Sequence, residues 1–194
     1  MGPFEYAMVL VSIIIGLGVT HILSAFGSAV HRLRGHGPPI VLEATYLFWA
    51  GLVLQWLVTI WWAEFKLQEV GVEWTFGLYF FVVWYAIALY VLAVVLVPRD
   101  MEGVDDSFDY FMGGRRWFFG VFLVVVALDV VDTFIKGADW GSRPEYLLLV
   151  GLWLAAAAVG MFARRRSVQR ANAIAVFSIT VLWVSSQLGV LGAF

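Results

Sequence analysis

Residues 117–136 read WFFGVFLVVVALDVVDTFIK, and the fold follows from the solvent this segment demands. Its first twelve residues carry no charge, and about 20 residues at 1.5 Å rise are what a helix needs to cross a bilayer. The same reading extends to the rest of the chain. Residues are 62% apolar and only 13% charged, and the mean hydropathy is +0.90, far outside the soluble range. Cutting the 194 residues at their charged and Gly/Pro-rich punctuation predicts six spans, at about 4–30, 41–63, 74–97, 117–135, 144–163 and 171–191. The expected fold is therefore an all-α membrane protein, a single transmembrane domain built as a bundle of six helices.

The prolines agree with that cut. Pro3, Pro38, Pro39, Pro98 and Pro144 all fall at boundaries or in a first turn, where a missing N–H costs least. Ser142 and Glu145 stand at capping-box spacing before the fifth span. Glu5, rather than a basic cluster, precedes the first apolar run, which argues against a cleaved signal peptide.

Basic residues set the expected orientation, because cytoplasmic loops keep an excess of Lys and Arg. The first, third and fifth loops hold nine: Arg32 and Arg34, then Arg99, Arg115 and Arg116, then Arg164, Arg165, Arg166 and Arg170. The opposite side holds Lys66, Lys136 and Arg143. Both termini are thus expected outside the cytoplasm, in a membrane of the prokaryotic cytoplasmic type. Trp61, Trp62, Trp74 and Trp140 then fall at outer helix ends and Trp117 at an inner one, as an interfacial belt. Trp49, Trp56, Trp84, Trp153 and Trp183 fall inside spans, where indoles pack helices, face lipid or line a pocket.

Small residues indicate how the helices meet, since lipid gives no hydrophobic drive between them. Ser12, Gly16, Thr20, Ser24 and Ser28 recur every four residues on the first span. Gly151 with Ala155, and Ala156 with Gly160, make comparable pairs on the fifth, and Ser178, Ser185, Gly189 and Gly192 a face on the sixth. Packing within the chain is one reading of these faces, and self-association or a hydroxyl-lined path is the other. In the third loop, 98–116, Val104, Phe108, Phe111 and Met112 have the spacing of a short amphipathic interfacial helix. Its acids, Asp100, Glu102, Asp105, Asp106 and Asp109, suit either a solvated loop or a docking face for a protein partner. Asp105, Ser107 and Asp109 imitate the start of a calcium loop, but Tyr110 replaces its Gly and Arg116 its Glu.

Ionisable residues inside spans are the functional candidates, because each costs about 2.5–3.5 kcal/mol at a helix centre. Asp129, Asp132 and Lys136 share one face of the fourth span. Asp132 and Lys136 form an i,i+4 pair, which leaves Asp129 deeper and without a cation on its own helix. His21 is the single histidine inside a span, and counting from the predicted cytoplasmic ends puts it within roughly 5 Å of the height of Asp129. Asp129, His21 and Asp132 are accordingly the proton or ion relay candidates. A bond from His21 to a backbone carbonyl or a nearby serine is the blander expectation. Glu43 is expected to pair with Arg32 or Arg34, and Glu5 and Glu64 to meet water at outer ends.

Counting removes other chemistries. A net charge of −2 gives no basic surface for nucleic acid, and zero cysteines leave no disulfide or thiolate site. One histidine within spans is too few for bis-histidine haem. Both lysines lie at span ends, wrong for a retinal Schiff base. No zinc cluster, phosphate loop or nucleophile elbow is present. No cofactor, metal site or catalytic residue is expected. Two functions stay open: a proton or small-cation channel or transporter acting as a homo-oligomer, and a non-transporting scaffold, sensor or accessory subunit.

Overall fold

The structure, a computed structural model, describes residues 2–99 and 101–188. Asp100, Gly189, Gly192 and the end of the sixth span lie outside the described residues. Among the described residues seven helices follow one another: α1 (Pro3–Leu33), α2 (Ala44–Glu69), α3 (Phe76–Leu96), α4 (Ser107–Lys136), the single turn α5 (Ala138–Gly141), α6 (Pro144–Phe162) and α7 (Arg166–Leu188). All but α5 are long and apolar enough to cross a membrane, so the chain is an all-helical, multi-pass membrane protein in type.

Local chemistry fixes the helix starts. Glu43 accepts from the Thr45 N–H (2.6 Å), Thr75 from Leu78 (3.2 Å) and Asp106 from Phe108 (2.7 Å), each answering a donor that a helix leaves open at its first turn. Pro3 and Pro144 stand at first-turn positions. The predicted capping box before Pro144 is not formed. Arg143 is the N-cap, without a side-chain bond, and Ser142 instead ends α5.

α2 occupies the middle of the bundle and packs on α1, α3, α4 and α7, while α6 lies against α4 and α7. The core is aromatic. Trp49 meets Phe118, Phe119 and Phe122 edge-on at centroid distances of 5.2–5.7 Å, and all four rings are buried. Backbone approach makes room for them. A Cβ on Gly160 of α6 would stand 1.9 Å from the Phe119 ring, and one on Gly18 of α1 3.0 Å from Leu57. Of the predicted small-residue faces, Ala156 and Gly160 point inward, whereas Gly151, Ala155, Ser178 and Ser185 point outward. Ser12, Gly16, Thr20 and Ser24 are exposed as well, and nothing lies within 4 Å of a Cβ on Gly16. The α1 face that packs is carried by Ala7, Val11, Ile15, Gly18 and Ile22.

The third loop differs most from expectation. Among the described residues it holds no separate interfacial helix. Phe108, Phe111 and Met112 belong to the opening turns of α4, which starts ten residues before the predicted span. The rest is bound to its own chain: the Val41 N–H donates to the Asp105 carbonyl (2.8 Å), and the Ser107 N–H to that of Val41 (3.0 Å). Arg32 is buried at the end of α1 and donates to the carbonyls of Pro38 (2.8 Å), Pro39 (2.9 Å), Met101 and Val104 (3.0 Å). Glu43 pairs with Arg170 at 2.6 Å rather than with Arg32 or Arg34, because those backbone carbonyls occupy Arg32.

Candidate functional site

At the opposite end of the bundle, the C-terminal halves of α2, α4 and α7 and the N-terminal half of α6 surround a cavity of about 480 Å³. Helical spacing puts Asp129, Asp132 and Lys136 on the face of α4 that meets it. The Lys136 ammonium donates to Asp132 Oδ2 on its own helix and to Glu64 Oε1 of α2 at 3.1 Å. The pair expected within α4 is therefore a triad with α2. Glu64 was expected in water and is instead fully buried. α2 runs on to Glu69 instead of stopping at residue 63, and this draws Glu64 into the bundle.

Asp129 is held differently. Tyr85 of α3 donates its hydroxyl to Oδ1 (3.1 Å), and Tyr146 of α6 donates to Oδ2 (2.9 Å). Two phenols thus take the place of the cation that α4 does not supply. Each carboxylate oxygen keeps a further lone pair, and Asp129 is only half-buried. Beyond these bonds, Glu64 Oε2, Asp132 Oδ1 and the Trp183 indole N–H are buried without a hydrogen-bond partner among the described residues. Such atoms are costly where no water solvates them.

The remaining wall is largely indole and aliphatic. Trp56 stacks on Phe122 at 5.1 Å and meets Trp153 edge-on at 5.1 Å, and the Trp153 N–H donates to Thr180 Oγ1 (3.1 Å). Below Trp56, the Trp49–Phe118–Phe119–Phe122 cluster forms a floor between the cavity and the other end of the bundle. At the rim, Trp61, Phe65 and Glu69 are exposed, so the cavity opens at its own end.

His21 is elsewhere. Its Nε2 lies 2.8 Å from the Val97 carbonyl at the end of α3, the blander of the two expectations. Tyr85, which holds Asp129, is twelve residues from Val97 along α3, about 18 Å at helical rise. The predicted similarity in height fails because both helices extend further than the spans: α1 to Leu33 and α4 back to Ser107.

Thus Asp129, Asp132 and Lys136 are brought together, His21 is not, and Ser12, Gly16, Thr20 and Ser24 lie on the outer surface. Glu64, Tyr85 and Tyr146 join from other helices. The available signal for the tyrosines was general: a phenol deep in an apolar run requires a hydrogen-bond partner. Among the described residues no group of three or more His, Cys, Asp and Glu is placed to hold a metal ion. Compared with protein-family models, with curated proteins and with solved structures, the chain finds no match, so any function must be argued from this cavity.

Proposed function

We propose that the protein is a cation-accepting membrane protein, a carrier that takes a proton or small cation into the carboxyl cluster from one side of the bilayer. One observation carries this reading: three carboxyl groups, on Glu64, Asp129 and Asp132, line a mostly apolar cavity in which the Lys136 ammonium pairs with two of them and Asp129 is held by phenols alone, while Lys66 and Glu69 pair with each other at the rim. With all ionised, the site holds a net charge of −2. Low-dielectric surroundings make such an excess costly unless a proton or cation offsets it. The aromatic floor argues for a carrier or one-sided receptor and against an open channel.

The nine-to-three asymmetry of basic residues favours a cavity mouth outside the cytoplasm. In the cysteine-free chain, Glu73→Cys near the mouth should react with an impermeant maleimide from outside. Ser167→Cys should react only after the membrane is opened, and the reverse pattern would overturn the orientation. The outward face of Ser12, Gly16, Thr20 and Ser24 is the surface we assign to self-association.

Reconstituted vesicles test the carrier. A pH or cation gradient should drive flux through wild-type protein, and Asp129→Asn, which keeps shape and removes the titrating oxygen, should abolish it while the protein stays folded. Wild-type flux no greater than that of empty vesicles would rule out transport. The same floor supports a second reading, a sensor that binds without translocating.

A further inference from the structure

The cavity is too large and too apolar for a proton or bare ion alone. Its 480 Å³ corresponds to about 16 water volumes at ~30 Å³ each and falls within the ~300–1,000 Å³ range of sites for organic ligands. Trp56, Trp153 and Trp183 offer apolar surface and ring faces to a cation, whereas a hydrated inorganic ion would leave that surface unused. The polar groups call for a particular charge and donor type. Glu64 is 0% and Asp132 5% exposed, both line the cavity, and each has an oxygen without a donor among the described residues. Asp129, half-buried and framed by two phenols, is the carboxylate most open to the cavity.

We propose that the ligand is an organic primary ammonium with a hydrophobic body, its charged end among Asp129, Asp132 and Glu64 and its body against the indoles. A primary ammonium brings three N–H donors and one positive charge; Asp129, the carboxylate open to the cavity, can accept those donors, and the charge offsets one of the two excess negative charges. A quaternary ammonium brings the charge without the donors. This inference rests on the cation-accepting reading of the same cavity and narrows it to one ligand class.

The test uses the full chain in lipid discs, with empty discs as reference, and reads the change in tryptophan fluorescence. The probes are 2-phenylethylammonium, benzyltrimethylammonium and the neutral 3-phenylpropan-1-ol. 2-Phenylethylammonium should bind at least tenfold more tightly than the alcohol and more tightly than the quaternary ion. Asp129→Asn should weaken the primary ammonium about tenfold or more and the alcohol by a much smaller factor. Equal binding of ammonium and alcohol would overturn the proposal, and so would an affinity indifferent to Asp129→Asn. The wild-type comparison decides the matter if that variant does not fold, and Glu64→Gln provides a second substitution within the cluster. Asp129-dependent proton or sodium flux without ammonium binding would sink this inference and spare the carrier. Absence of both flux and binding would remove the two together.

Discussion

Replacing Lys136 by methionine tests whether the triad is one electrostatic unit. The change keeps most of the side-chain volume and removes the ammonium shared by Glu64 and Asp132. The three side chains are only 9%, 0% and 6% exposed respectively, so solvent screens the loss poorly. Breaking a buried ion pair by removing one partner costs about 3–5 kcal/mol, because the partner charge stays behind. For a chain of this length that corresponds to a melting point lower by roughly 6–20 °C. The triple variant Glu64→Gln, Asp132→Asn, Lys136→Met removes the stranded charges and should recover at least about 1 kcal/mol relative to Lys136→Met alone. Unfolding in mixed micelles, followed by tryptophan fluorescence, measures both. A Lys136→Met protein within about 0.5 kcal/mol of wild type would refute the reasoning, as would a triple variant no more stable than the single.

Two further outcomes concern the remainder of the bundle. Gly160→Ala should destabilise by about 1–3 kcal/mol through overpacking, since its Cβ would meet the buried Phe119 ring. Gly151→Ala, with open space at the same helix's outer face, should cost nothing measurable in the same unfolding assay. At the other end, burial raises the Glu43 pKa, but hydrogen bonds from Thr45 and Arg170 and the Arg170 charge outweigh that and hold it below its ordinary 4.5. A depressed folded pKa contributes stability above the ordinary carboxylate range and loses it as pH falls through the folded value. Glu43→Gln should therefore lower stability at pH 7 by about 1 kcal/mol, a modest figure because Arg170 is half-exposed. It should also flatten the loss of stability on acidification below about pH 4.5, which an unfolding series from pH 7 to pH 3 would measure.

The membrane class and the six long helices were legible because they depend on composition and length, which a single chain displays openly. Helix ends were less legible, and the error had consequences at particular residues. Cutting the second span at Ala63 left Glu64 in water, and starting the fourth at Trp117 placed Asp129 and His21 at similar heights. Loops that pair with one another, as Val41 does with Asp105 and Ser107, leave little local signal. The face of α4 was readable from i,i+3 and i,i+4 spacing alone. Its partners were not, since Glu64, Tyr85 and Tyr146 arrive from three other helices. On α1 every-fourth-residue repetition did not pick out the face that packs within the chain: Ser12, Gly16, Thr20 and Ser24 are alike in size, but the inward face is set by the apolar residues and Gly18 between them.

The two ends of the bundle treat buried charge in opposite ways, and this difference is what the proposed function rests on. At one end the Arg32 guanidinium is surrounded by four backbone carbonyls that loops of its own chain supply, so its donors are answered internally and the loops are fixed by that bond set. At the other end, among the described residues, the Lys136 ammonium and two phenols face the carboxyl groups of Glu64, Asp129 and Asp132, and two carboxylate oxygens have no donor. Hydrocarbon cannot supply the missing donors. A proton on a carboxyl and an ammonium beside it are then alternative ways to offset the same excess, reached through the same mouth. On the proposed reading, a proton and an ammonium each offset part of the same excess, so each should lower the affinity for the other by the same factor.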